Sequence, residues 1–314
     1  MVDYSSIPNK KILIIGSCGL DMCTFIDKMP ALGETIPGIK FCQNLGGKGQ
    51  NQAVAVSRSG GLVTFLGAVG ADDNGKFIKK SMEENKVKAN LKEVEGVSCG
   101  IATILIDTTG ENRIVIVAGA NGTVDKKQID DNINLIDEND IIMLQLEIPV
   151  PTVEYVVDIA YQKNKIIILN PAPGKQLSQD TLKKVTYLTP NETELGILTN
   201  MPFDTLDNIK LAGEKLINLG VKNLLVTIGA KGVYYMTKEE SIVIPTYEVK
   251  PIDTTAAGDC FNGVFATYLS RGLNAKDAIK FANLAASIAV TRIGAVPSLP
   301  TQNEIEEKYK QVSK

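Results

Sequence analysis

The segment Asp253-Thr254-Thr255-Ala256-Ala257-Gly258-Asp259 sets a carboxylate beside a run of backbone almost free of side chains, a combination suited to phosphoryl transfer. Downstream, Phe261, Val264, Phe265, Tyr268 and Leu269 recur at helical spacing, which predicts an amphipathic helix beginning near Ala257 with Asp259 in its first turn. The first N–H groups of a helix lack internal partners and carry partial positive charge. Ala256, Ala257 and Gly258 would therefore offer donors to a migrating phosphoryl group, with Asp259 turned toward the attacking hydroxyl. On residue types alone, a capped helix start whose small residues let it pack closely explains the segment equally well.

Other candidates stand where strand-like runs end. Gly46-Gly47-Lys48-Gly49-Gln50-Asn51 precedes a small, apolar helical stretch at 53–57; its glycines would allow close backbone approach to a polar ligand, and Asn51 offers both donors and an acceptor. Lys48 is followed by Gly49 and not by Ser or Thr, so this is no Walker A loop. Gly16-Ser17-Cys18-Gly19-Leu20-Asp21 closes the first strand without the spacing of a dinucleotide fingerprint. Glu147 follows the run 141–146 and precedes Pro149. Asn191 and Glu194, after Thr189-Pro190, read as an N-cap and a first-turn acid. Thr227-Ile228-Gly229-Ala230-Lys231-Gly232 reads as a strand passing into a turn.

These residues must be positioned by the rest of the chain. Its 314 residues, 44% hydrophobic, can bury a sizeable core. Apolar runs at 12–16, 63–69, 141–146, 166–169 and 224–228 alternate with amphipathic helical stretches, which predicts a doubly wound, mostly parallel α/β sheet with ligands at the carboxyl ends of its strands. Two β-rich runs, 101–107 and 113–117, bracket a glycine-containing loop, and 21–44 is also extended. These excursions, about 21–44 and 99–119, are expected to form a small β-sheet lid on a single chain spanning 1–314.

Composition excludes several chemistries. With no histidine, Ser-His-Asp and Cys-His catalysis and His-ligated zinc are ruled out, so proton transfer must use Asp, Glu, Lys, Tyr or Cys. Five cysteines without a C-x-x-C pair suggest reduced thiols in a cytoplasmic setting, with the nucleus left open. The net charge of −3 and scattered lysines argue against a nucleic-acid partner. The polar start, 1–11, and strand-sized apolar runs argue against a signal peptide or membrane span.

The motif Asp253–Asp259 closely resembles the C-terminal signature of the ribokinase family of sugar kinases, the PfkB superfamily. The resemblance runs from roughly 11 to 300 with every motif in family order. It implies a large α/β domain with a β lid, often a homodimer in which two lids clasp, and transfer of phosphate from ATP to O5 of D-ribose. Asp259 would be the catalytic base. Gly19, Asp21, Gly47, Lys48, Gly49, Asn51 and Glu147 would form the sugar pocket, and Thr227, Gly229, Lys231, Gly232, Gly258 and Asn283 would contact ATP together with Asn191. The Asn191-x-x-Glu194 spacing matches the family's magnesium motif, acting through water. Asp253, Thr255 and Ser298, with carbonyls of Ala289, Arg292 and Gly294, would hold an activating K⁺. One departure stands out: bacterial members commonly carry Asn at the position of Gly19, so one polar sugar contact is absent and 2-deoxyribose is an expected secondary substrate. A relative acting on 2-deoxyribose, another sugar or a nucleoside would share every phosphate-side motif. A non-catalytic sugar-binding regulator on the same fold is the alternative of a different class.

Overall fold

A computed structural model describes residues 9–312, so most of the polar start, 1–8, lies outside the described residues. Strand β1 (Lys11–Ile15) shows why the sheet is buried on both faces. Ile12 and Ile14 join one hydrophobic cluster while Leu13 and Ile15 join the other, all fully buried. Successive strand side chains point to opposite faces, so an unbroken apolar run requires a helical layer on each side.

The main sheet has nine strands. In spatial order these are β13 (Ser241–Ile244), β12 (Val233–Met236), β11 (Asn223–Thr227), β10 (Tyr187–Leu188), β9 (Ile166–Leu169), β8 (Ile141–Leu144), β1, β4 (Leu62–Gly70) and β5 (Lys88–Val94). All neighbours are parallel except that β12 runs antiparallel to β11 and β13. One face packs against α1 (Lys48–Arg58), α2 (Asp73–Glu84), α9 (Ala257–Ser270), α10 (Ala275–Ala289) and α11 (Gln302–Val312). The other carries α3 (Lys126–Asp131), α4 (Ile133–Glu138), α5 (Val150–Gln162), α6 (Gln179–Lys184), α7 (Glu192–Thr199) and α8 (Leu206–Asn218). This is the expected doubly wound architecture.

A separate four-stranded sheet orders β3 (Gly38–Gly46), β2 (Gly19–Ile26), β6 (Gly100–Ile106) and β7 (Asn112–Val117). Strand β2 pairs antiparallel with β3 and parallel with β6, and β7 closes the far edge as a hairpin with β6. It stands where β1 ends, because only residues 16–18 separate β1 from β2.

Two local expectations need correction. The helix after the glycine motif starts at Lys48 with Gly47 as its N-cap, and not at 53, so Lys48, Gln50 and Asn51 are helical. The run 141–146 ends as a strand at Leu144, leaving Gln145 and Glu147 beyond it, where both bond to residues of α1.

Candidate active site

Helix α9 begins as its periodicity requires, and its first turn is open. Ala256, the N-cap, lies in the left-handed region at φ 58°, a strained conformation for a residue with a Cβ. The Ala257 amide makes a long bond to the Thr254 carbonyl at 3.2 Å, while the amides of Ala256 and Gly258 have no protein acceptor among the described residues. A Cβ built on Gly258 would meet nothing within 4 Å, so a ligand can approach this backbone closely.

Asp259 is buried, 6% exposed, with both oxygens hydrogen-bonded. Asn51 Nδ2 donates to Oδ2 at 3.0 Å and Gln52 Nε2 to Oδ1 at 3.0 Å. Burial raises its pKa above the usual carboxylate value and Glu147 adds to the rise, whereas Lys48 and the two amides oppose it. The Lys48 ammonium lies among four carboxylates, Asp259, Glu147, Glu194 and Asp21. Burial pushes its pKa down, but those four charges win and hold it above the ordinary lysine value. Asp21 rises to about 6, chiefly through burial and then through Glu147 and Asp259, with Lys48 opposing.

The glycine motif builds this charged cluster by letting protein backbones meet. A Cβ on Gly49 would lie 2.8 Å from the backbone of Ser17, one on Gly47 (φ 89°) 2.8 Å from Cys18, and one on Gly46 2.3 Å from Asp21 Oδ1. The expected close approach is therefore made first to the 16–21 segment, which is thereby clamped against α1. Glu147 completes the clamp, its Oε2 accepting from Ser17 Oγ at 2.5 Å and from the Lys48 amide at 2.9 Å. Gly19 sits in β2 opposite Gly100, and a Cβ there would lie 2.4 Å from the Gly100 carbonyl oxygen. Restoring an asparagine at 19 would thus displace β6, so that substitution is no clean probe of sugar selectivity.

On the phosphate side, a cavity of 820 Å³ is lined by Asn191, Thr227, Gly229, Gly232, Ala257, Gly258 and Asn283, among others, and Lys231 is exposed outside it. Asn283 donates to the carbonyls of Ile244 and Pro245, both at 3.1 Å, so it fixes the wall formed by the end of β13. Asn191 and Glu194 form a reciprocal capping box at the start of α7. That arrangement occupies Glu194 Oε2 and leaves its Oε1 without a protein hydrogen bond among the described residues. No cluster of three or more His, Cys, Asp or Glu side chains that could hold a metal ion exists among the described residues. Asp253 ties two loops together, its Oδ1 accepting from the Thr255 amide at 2.9 Å and Oδ2 from the Gly294 amide at 2.8 Å. Those bonds hold its pKa below the usual value against the effect of burial. No Lys or Arg forms a salt bridge with it among the described residues.

Sequence reasoning missed Ser17, Gln52 and Gln145. Gln52 lies one residue beyond the expected Asn51, and its position on α1 becomes meaningful only once the helix is known to start at Lys48.

Comparison with known proteins identifies a family and several relatives. The family described as pfkB family carbohydrate kinase matches residues 9–302. Bacillus subtilis ribokinase is 39% identical over 299 residues, covering 95% of this chain and 99% of that protein. A deoxyribokinase of Salmonella typhi is 35% identical over 300 residues, covering 94% and 97%. The structure of Arabidopsis thaliana ribokinase complexed with ribose and ATP superposes with a TM-score of 0.90 at 30% identity, covering 96% of this chain and 99% of that one.

Proposed function

The chain belongs to the pfkB family of carbohydrate kinases, and from that membership we propose that it transfers the γ-phosphoryl group of ATP to O5 of D-ribose, giving D-ribose 5-phosphate and ADP. The observation that carries this reading is the buried Asp259 carboxylate at the mouth of an open helix N-terminus, beside the cavity reaching Thr227, Gly229 and Asn283. Asp21, Gly47, Lys48, Asn51 and Glu147 hold the sugar with its primary hydroxyl toward Asp259. Asp259 takes the proton as the new P–O bond forms. The amides of Ala256, Ala257 and Gly258 receive the charge on the migrating group, and because phosphoryl transfer depends chiefly on positioning and charge stabilisation, they contribute more than proton removal.

ATP lies along the 820 Å³ cavity. Mg²⁺ held through water by Asn191 and Glu194 would neutralise phosphate charge, and K⁺ at Asp253, Thr255, Ser298 and the carbonyls of Ala289, Arg292 and Gly294 would stiffen the anion hole. The lid closes the sugar side and joins two chains as a homodimer. With all five cysteines free, a cytoplasmic location fits best.

A second reading, 2-deoxyribose as an additional substrate, is favoured by Gly19, since the neighbouring Gly100 carbonyl leaves no room there for a side chain that would recognise a further hydroxyl. A coupled ADP-release assay over pentoses, hexoses and nucleosides tests both. Ribose should give the highest kcat/KM with measurable 2-deoxyribose turnover, and a hexose or nucleoside preferred over ribose would contradict the assignment.

A further inference from the structure

Gln52 has no exposed surface and uses both ends of its amide. Nε2 reaches Asp259 Oδ1 at 3.0 Å and Asn170 Oδ1 at 3.2 Å, while Oε1 accepts from Gln145 Nε2 at 2.7 Å. A carboxylate only accepts, so the Gln52 atom facing Asp259 must be the nitrogen, and its oxygen must then face Gln145. Asn170 passes the connection on, its Nδ2 donating to the Thr189 carbonyl at 2.8 Å. The amides therefore form a directed chain in which Gln145, after β8, donates to Gln52 and Gln52 donates to the reacting carboxylate, with a branch from Gln52 through Asn170, after β9, to the Thr189 carbonyl, after β10.

We propose that Gln52 is a positioning residue for the phosphoryl-transfer base: its amide fixes the orientation of the Asp259 carboxylate, and Gln145 fixes the orientation of that amide. The inference rests on Asp259 being the base. With Oδ1 held by Gln52 and Oδ2 by Asn51, rotation of the carboxylate is restrained, which limits the directions from which a sugar hydroxyl can reach it. The same bonds favour the ionised form in a site where burial works against it. Other charged groups facing Asp259 are Lys48 from α1, Glu147 beyond β8, Glu194 from α7 and Asp21 from β2. Of these only Lys48 is cationic, so loss of an amide donor has no second cation to replace it.

The test is steady-state kinetics with ribose and ATP across pH for Gln52→Met, which keeps length but cannot donate, Gln52→Glu, which keeps shape and polarity, and Gln145→Glu, whose carboxylate would face the Gln52 oxygen and turn its amide around. Thermal melts accompany each, and Asp259→Asn is measured in parallel. For Gln52→Met, kcat should fall by about 10-fold to 100-fold at neutral pH with the KM for ATP within a few-fold, and the acid limb of kcat should move to higher pH. Gln52→Glu should move the acid limb in the same direction, because adjacent carboxyl groups resist ionising together. Gln145→Glu should act like the Gln52 variants alone and add little in the Gln52→Met background, the non-additivity expected of residues working in series. Folded Gln52 variants with unmoved acid limbs and kcat within about 3-fold of wild type would overturn the proposal, and full additivity would overturn the role of Gln145. If Asp259→Asn were itself active, the base assignment would fail instead, which separates the two.

Discussion

Asp21 illustrates at the scale of a residue how a binding group works against the fold. Its pKa rises from 3.8 to about 6, first through burial and then through the charges of Glu147 and Asp259. An acid whose folded pKa exceeds its unfolded one holds more protons when folded, so stability falls as pH climbs from about 4 to about 6 and stays reduced above that window. Asp21→Asn should therefore raise the melting temperature of the ligand-free protein at pH 7.5, with a gain on the order of 2 kcal/mol, while weakening ribose binding. At pH 3.5, where Asp21 is protonated either way, the stability gain should vanish. Calorimetric melts at the two pH values and ribose titration check this, and an unchanged melting temperature at pH 7.5 would contradict it. Asp21, Glu147 and Asp259 were legible as acids beside glycines and strand ends. Gln52 and Ser17 were not, because their partners lie 207 and 130 positions away and only folding brings them together.

Elements were legible where apolar periodicity was long. Strands β1, β4, β8, β9 and β11 and helix α9 coincide with apolar runs, whereas β5 is largely exposed and its Lys-Ala-Asn-Leu-Lys-Glu-Val sequence has no continuous apolar run, and β10 has only two residues. The start of α1 was hidden because glycine, lysine, glutamine and asparagine carry no apolar period, although every residue from Gly49 to Val56 is buried. In the first turn of α9, Gly258 should separate fold from function. Gly258→Ala places its methyl in open space and favours the helix by about 0.5–1 kcal/mol, so the melting temperature should hold or rise. The same methyl stands where the phosphoryl group must approach, and kcat should drop by at least about 10-fold. Loss of activity together with loss of stability would contradict this account. The adjoining 253–255 and 289–298 loops predict ion-specific activation: rates should be higher in potassium than in a bulky organic cation at matched ionic strength, and equal rates would refute a cation site there.

At the scale of the molecule, the candidate site draws residues from both sheets, Asp21 from β2 of the smaller one and Glu147 from beyond β8 of the larger. The outer strand of the lid, β7, exposes Ile114, Val115, Ile116 and Val117, each more than half accessible, and Ile39 and Phe41 are exposed on β3. An apolar edge of this kind invites pairing with another chain. Sedimentation should find wild-type protein at twice the chain mass and the Ile114→Glu/Ile116→Glu variant at the chain mass with a raised KM for ribose; a monomeric wild type would contradict the clasped-lid dimer. In the proposed reaction Asp259 takes the proton from the sugar hydroxyl. The most direct test of this step is Asp259→Asn, followed by ADP release and by calorimetric titration with ribose and an ATP analogue. The account predicts a fall in kcat of about 10²-fold to 10⁴-fold with both ligands still bound at near wild-type affinity. Turnover within a few-fold of wild type would contradict it.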